Sequence, residues 1–120
     1  MVIVSYDLAI WEGHRPADST AAYEEYEQLF ARCIRSGPVP PTPRIAAFIR
    51  ALLDRYPEID TEAGEDSPWA TGPLMRDGSG PFLYLPLVYS QCDEASAWVA
   101  QLAQNHALVC YDPQLSKLRP

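Results

Sequence analysis

The chain has 120 residues, of which 48% are hydrophobic and 21% charged, a composition that excludes a disordered chain and predicts one domain over residues 1–120. Its formal charge of −7 argues against nucleic-acid or anionic-membrane partners, which need a concentrated positive field, and favours a basic protein partner. Three cysteines lack metal-ligand spacing, so we predict buried reduced thiols, no metal and no cofactor. No run approaches the roughly 18 apolar residues that span a bilayer, and we therefore predict a cytoplasmic protein with no membrane partner.

Residues 2–11 (VIVSYDLAIW) predict a central strand, because they are rich in β-branched and aromatic types and nearly apolar on both alternating sets. One set comprises Val2, Val4, Tyr6, Leu8 and Ile10, and the other comprises Ile3, Ser5, Asp7, Ala9 and Trp11. Asp7 is the exception, because a lone buried carboxylate is costly and must be hydrogen-bonded, paired or solvated. Two interpretations stay open: a structural carboxylate held by loop, Trp or Tyr donors, and a functional carboxylate.

Two helices are predicted to follow this strand. Asp18 or Ser19 caps the first helix, and Gly37 ends it. A proline-rich connector (SGPVPPTP) leads to the second helix, which Thr42 caps and Pro57 ends. The apolar stripes of the two helices are Tyr23, Tyr26, Phe30, Cys33 and Ile34, and Ile45, Phe48, Ile49, Leu52, Leu53 and Tyr56.

The second half of the chain predicts two strands, a third helix and a last strand. A glycine and a proline weaken the segment WATGPLMR, which we expect to be an edge strand or irregular. A DGSG turn connects it to a stronger strand at Phe82–Tyr89. Ser90, with Asp93 or Glu94, is predicted to cap the third helix, and residues 107–111 are predicted to form the last strand.

The resulting order, β-α-α-β-β-α-β, predicts an α+β fold of the ferredoxin-like or split βαβ type, with an antiparallel or mixed sheet and helices on one face. We expect the first and third strands at the centre, the fourth beside the first, and the weak second strand at the outer edge. The other face of the sheet would then be open.

Asp7 and Trp11 are expected on that open face. The third strand adds one of its two alternating sets, either Phe82, Tyr84 and Pro86 or Leu83, Leu85, Leu87 and Tyr89. Both alternatives leave a contiguous apolar surface, and such surfaces usually mark contact sites.

An acidic stretch is the second candidate contact. From Asp54 to Asp66 there are six carboxylates and one arginine, a net charge of −5. A solvated loop and a partner-binding loop both fit this pattern. Trp11 and Trp69 adjoin loops near Glu12 and Asp66, where each ring either closes one end of the core or recognises a partner. The predicted partner-binding residues are Asp7, Trp11, Glu12, Asp66, Trp69 and Tyr84.

No catalytic residue is predicted. Asp112 precedes a proline at a strand end, where it is expected to form a turn. If the strand register brought Asp112 to Asp7, two adjacent carboxylates would raise one pKa, as a general acid and base require. His14 and His106 show no metal-ligand spacing and are expected to be structural or solvent-exposed.

The chain resembles a set of small bacterial proteins of uncharacterised activity, which begin with a Tyr-Asp-Leu strand and finish in Tyr-Asp-Pro-Gln. The resemblance is carried by four stretches: YDLAIWEG, DSPW, the GPL that follows it, and LVCYDPQ. The resemblance runs along most of the chain. It implies one compact domain and, because such proteins are sometimes encoded as immunity partners of secreted toxins, a neutralising role. It carries no site residues.

The leading hypothesis is a non-enzymatic protein-interaction domain, an immunity protein that blocks a bacterial toxin with a basic active site. One alternative is a small-molecule-binding or enzymatic domain that uses the open sheet face around Asp7. Another is a homodimer joined through the same face.

Overall fold

The computed structural model describes residues 5–37 and 39–120. The strands are β1 (Ser5–Trp11), β2 (Gly78–Ser79), β3 (Phe82–Val88), β4 (Val109–Asp112) and β5 (Lys117–Leu118). The helices are α1 (Ser19–Phe30), which continues through a π-helical turn at Ala31–Arg35, α2 (Pro43–Arg55), a short α3 (Leu74–Asp77) and α4 (Cys92–Asn105). The predicted strand residues 2–4 lie outside the described residues. No helix in the described ranges is long and apolar enough to cross a membrane.

The sheet has the order β2-β3-β1-β4-β5, and every neighbouring pair is antiparallel. This confirms the α+β class, the central β1–β3 pair and the position of β4 beside β1. The segment WATGPLMR, predicted to be an edge strand or irregular, forms a single bridge from Trp69 to Leu87 and the start of α3, and the edge strand β2 follows it. Strands β3 and β4 run in the same direction on either side of β1, and α4 connects them as a split βαβ unit. In the predicted ferredoxin-like arrangement, too, the first and third strands are antiparallel neighbours at the centre of the sheet, so the observed strand order and directions agree with it, with β5 added at the far edge.

Helices cover both faces of the sheet, so the prediction that they lie on one face is wrong. Helices α2, α3 and α4 pack on the face that carries Leu8, Ile10 and Leu85. Helix α1 packs on the other face, where Trp11 and Phe82 are fully buried. Each alternating set of β1 contains large apolar side chains, which need a layer of helices on their own side of the sheet to be buried from water.

Two of the three predicted helix caps are present. The Asp18 carboxylate accepts a hydrogen bond from the Ala21 N–H at 2.8 Å, and the Thr42 hydroxyl accepts one from the Ile45 N–H at 3.3 Å. The prediction that Ser90 caps the third helix is wrong, because the 3₁₀ turn Tyr89–Gln91 precedes α4 and its cap makes no side-chain hydrogen bond.

The outer edge of the sheet, at β2 and β3, is covered by two connecting segments. Thr42 N–H donates to the Gly80 carbonyl at 2.9 Å, and the neighbouring Pro41 forms a bridge with Gly80. Further along β3, Val88 N–H donates to the Pro68 carbonyl at 2.7 Å. The predicted DGSG turn is itself part of this edge, since its Gly-Ser pair forms β2.

Candidate functional site

Asp7 lies on the α1 side of β1 and is half-buried. Its carboxylate accepts hydrogen bonds from the Ser5 hydroxyl at 2.7 Å and from the Tyr84 hydroxyl of β3. Burial, followed by the bond to Asp7, raises the pKa of Tyr84, so this phenol stays protonated and remains a donor. These contacts are the ones expected of a structural carboxylate that is held by a Tyr donor.

Gln114 holds the backbone of Asp7 from the other side. Its side-chain oxygen accepts the Asp7 N–H at 2.5 Å, and its side-chain nitrogen donates to the Asp7 carbonyl at 2.7 Å and to the Asp112 carboxylate at 2.8 Å. The regular β1–β4 pairing reaches Ala9 and Tyr111, and the Gln114 carboxamide satisfies the next main-chain groups of β1. No motif or spacing in the sequence predicted this role of Gln114.

Asp112 is fully buried at the end of β4. Its carboxylate accepts the Leu115 N–H at 3.2 Å, lies 3.5 Å from the Arg119 guanidinium, and accepts the Tyr6 hydroxyl. The predicted role in a turn is confirmed. The register pairs Ala9 with Tyr111, which places Asp112 on the face opposite to Asp7, so the two carboxylates do not form an acid–base pair.

Trp11 and Glu12 do not form a surface recognition pair. The Trp11 indole is fully buried beneath α1, where its ring stacks on Phe82 with 6.4 Å between centroids. The Glu12 carboxylate lies 3.6 Å from the Arg44 guanidinium, near the start of α2. Trp11 is therefore a core residue that closes one end of the sheet, which is the structural alternative considered for it.

Trp69 is also buried, but on the opposite face of the sheet from Trp11. Its indole N–H donates to the Tyr56 carbonyl at 2.8 Å, and the Ser67 hydroxyl donates to the Pro57 carbonyl at 2.6 Å. These two bonds join the ends of the segment 57–67. Trp69 thus holds the acidic loop in place from inside instead of presenting its ring to a partner.

Inside this loop the backbone is tightly packed. The Thr61 hydroxyl donates to the Glu58 carbonyl at 2.7 Å and accepts the Gly64 N–H at 3.2 Å. The Glu58 carboxylate turns inward and accepts the Leu74 N–H at 2.7 Å. A Cβ atom at Gly64 would lie 1.7 Å from the Glu58 carbonyl oxygen, so only glycine fits there.

The other carboxylates of the stretch point into solvent. We call this surface the acidic edge; it comprises Asp54, Asp60, Glu62, Glu65 and Asp66. The ion pairs within 4.0 Å among residues 5–37 and 39–120 join Glu12 to Arg44 and Asp112 to Arg119, and neither involves the acidic edge. The negative charge of this surface is therefore not compensated by a salt bridge from the described residues.

A cavity of about 280 Å³ lies between the two ends of the acidic loop and the start of α4. Its lining residues are Tyr56, Pro68, Ser90, Gln91, Asp93, Glu94 and Ala95. Asp93 and Glu94 are exposed and add two carboxylates beside the loop. Next to this cavity the Arg55 guanidinium lies 5.0 Å from the Tyr56 ring centroid and 4.8 Å from that of Trp98. From the sequence, Asp93 and Glu94 were expected only to cap the third helix.

The remaining chemistry-bearing residues lie apart from this surface. All three cysteines are buried, and burial raises the pKa of the Cys110 thiol to about 12. His14 is exposed, and the His106 ring packs edge-on against Phe48 with 5.6 Å between centroids. Within the described ranges, no three His, Cys, Asp or Glu side chains converge as metal ligands.

Comparison of the chain with protein-family models, with curated proteins and with solved structures finds no match. The resemblance to small bacterial immunity-like proteins therefore stays a prediction that these comparisons do not test.

Proposed function

We propose that the chain is a non-enzymatic protein-interaction domain that binds a basic partner through its acidic edge. The observation that carries the proposal is the set of five solvent-exposed carboxylates, four on the closed loop 57–67 and Asp54 at the end of α2, with no salt bridge to the described residues. In combination with the resemblance, we propose that the partner is a bacterial toxin whose basic active site the domain covers.

Two physical effects support a basic partner. A concentrated negative surface accelerates the encounter with a positive one and selects against anionic partners. The adjacent cavity offers the Tyr56 ring together with the Asp93 and Glu94 carboxylates, which suits one Lys or Arg side chain. Arg55 already occupies a similar position against the same ring within the chain.

The apolar sheet face no longer supports this role, because α1 covers it and Trp11 is fully buried. The alternative of a ligand site at Asp7 is not supported by the cavities observed. The cavities found among the described residues, of about 150–490 Å³, are lined by other residues. A homodimer through this face would equally need α1 to move.

The test compares two doubly substituted variants that raise the formal charge of −7 by the same four units. Glu62→Lys with Glu65→Lys alters the acidic edge, and Glu24→Lys with Glu27→Lys alters exposed positions on α1. Binding to a short Arg-rich peptide is measured by titration at low and moderate salt. We expect the acidic-edge variant to bind about tenfold more weakly than the wild type, and the α1 variant to change less than about twofold. Equal losses in both variants would mean that only net charge matters and would contradict the proposal.

The immunity role is tested separately, by co-expression with the product of the gene adjacent to this one. We expect that product to arrest growth, the wild type and the α1 variant to relieve the arrest, and the acidic-edge variant to fail. A harmless neighbour, or relief that the acidic-edge variant provides equally, would refute the role.

A further inference from the structure

The proline-rich connector that leads into α2 forms a narrow ridge on the surface. We call it the proline ridge; it comprises residues 39–43 (VPPTP), of which three are prolines. Proline fixes its own φ at about −65° and restricts the residue before it to extended conformations, so this sequence favours polyproline II. The structure agrees, because Thr42 has φ −62° and ψ 160° and Pro41 forms a parallel bridge with Gly80. The ridge is thus preformed, and a partner that binds it does not have to order it.

The edge of the sheet holds the ridge from one side. Val39 N–H donates to the Ser79 hydroxyl of β2 at 3.1 Å. The half-buried Pro41 contacts the same strand, where a Cβ atom at Gly78 would lie 3.3 Å from the Pro41 Cβ. Main-chain bonds and one proline ring therefore fix the ridge, and its remaining side chains are not needed to hold it.

The other sides of the ridge face solvent. Polyproline II has three residues per turn, so Pro40 and Pro43 share one edge of the ridge, and both are exposed. Val39 lies on a second edge and is 54% exposed, although valine is among the residues most often buried. Pro41 occupies the third edge, against β2. Two apolar edges of a rigid segment are thus presented outward.

The surroundings of the ridge are basic, although the whole chain carries −7. Residues 31–55 contain five arginines and one carboxylate, Asp54, a net charge of +4. Arg35 precedes the connector and Arg44 follows the ridge directly, and both are exposed. Arg44 lies 3.6 Å from Glu12, yet half of its side chain remains accessible. Charge complementarity therefore favours a partner whose contact surface has an acidic rim.

We propose that the proline ridge binds a protein domain with an aromatic-lined groove that is rimmed by carboxylates. Aromatic grooves recognise prolines spaced three residues apart on a polyproline II segment, which is the spacing of Pro40 and Pro43. The exposed Val39 side chain beside them enlarges the apolar contact. This partner differs in charge from the basic partner of the acidic edge, so the two surfaces act independently.

The experiment follows backbone amide resonances of the whole, isotope-labelled chain during titration with a panel of purified SH3, WW and EVH1 domains, whose grooves read polyproline II. We expect at least one domain to cause saturable shifts centred on the proline ridge and Arg44. Pro40→Ala should weaken its binding about tenfold and Val39→Ser about fivefold, because each removes apolar contact area at the centre of the interface. Pro120→Ala alters an exposed proline elsewhere and should change the affinity less than about twofold.

Three results would overturn the proposal: no domain in the panel gives saturable shifts at the ridge, Val39→Ser binds as tightly as the wild type, or Pro120→Ala loses as much affinity as Pro40→Ala. Val39→Ser keeps all prolines and the main-chain bond to Ser79, so it decides the outcome even if Pro40→Ala is unstable. The acidic-edge variant retains the ridge and should bind the domain at least as tightly as the wild type, so the two proposals succeed or fail separately.

Discussion

Gln114 gives Asp7 the main-chain hydrogen bonds that a neighbouring strand would otherwise provide. A carboxamide has the same donor and acceptor as a peptide group, so one side chain bonds both the N–H and the carbonyl of Asp7. The same nitrogen also bonds the buried Asp112 carboxylate. The Tyr-Asp motifs at the two ends of the chain are thus connected through a single glutamine.

We expect Gln114→Ala to lower the free energy of unfolding by about 1–3 kcal/mol, because it removes both bonds to the Asp7 main chain and one of the bonds to the buried Asp112 carboxylate. Gln114→Glu should cost at least as much, since a carboxylate cannot donate and would lie beside Asp112. Urea denaturation measures both, and the exposed Gln28→Ala is the control. A Gln114→Ala variant as stable as that control would show that water replaces the carboxamide without cost.

For single residues, the sequence predicted local backbone roles better than the burial of a side chain or its tertiary contacts. It identified Asp112 as a turn residue because Asp-Pro has local backbone chemistry. It could not show that Trp11 and Trp69 lie on opposite faces, because their exposure depends on which helix covers which face. Gln114 gave no signal, since a surface glutamine in a turn has no chemical signature apart from its position after Tyr-Asp-Pro.

At the scale of elements, helix α1 determines which surface of the sheet a partner can reach, because it covers the face that carries Trp11 and Phe82. Its Tyr26 and Phe30 rings contact Phe82 of β3, with 6.4 Å between centroids in each case. The helix boundaries and two caps were predictable from local spacing and side-chain chemistry. The face on which α1 lies was not, because its stripe of Tyr, Phe and Cys residues fits either side of a sheet that is apolar on both.

The acidic loop depends on one glycine. We expect Gly64→Ala to lower the free energy of unfolding by about 1–3 kcal/mol or more, because the added carbon would overlap the Glu58 carbonyl, a backbone atom that cannot turn away. Thermal denaturation measures the loss, with the exposed neighbour substitution Ala63→Ser as the control. The same variant should bind the Arg-rich peptide more weakly. Wild-type stability in Gly64→Ala would show that the loop is free to rearrange.

The element order and the strand order were predictable because both follow from where apolar runs and turn residues occur along the chain. The direction of β3 relative to β1 follows from the same order, because a crossover followed by a hairpin makes these two strands antiparallel. The short β5 escaped prediction, since a two-residue strand leaves no periodicity to detect.

At the scale of the whole molecule, four tyrosines share one electrostatic property. Burial is the largest cause that raises the pKa of Tyr26, Tyr84 and Tyr111, and burial followed by the hydrogen bond to Asp112 raises that of Tyr6 to about 12. Their ordinary value is 10.0, so above that pH the folded chain retains protons that the unfolded chain releases.

Raised pKa values contribute stability that is complete below pH 10.0 and is lost as the pH rises towards and beyond 12. We therefore expect the free energy of unfolding to fall as the pH rises from about 10 towards 12, measured by urea denaturation. Tyr6→Phe should fall less steeply, because one of the four groups no longer titrates. A stability that is flat or rising over this range would contradict the assignment.

The segments that run beside β2 and the far end of β3 have a consequence for how identical copies behave. Thr42 and Pro68 engage main-chain groups that an edge strand would otherwise leave free. A foreign strand that reached this side of the sheet would find no ladder to extend. Many copies can thus be synthesised together, before any partner is present, without aggregating through strand pairing at this edge of the sheet.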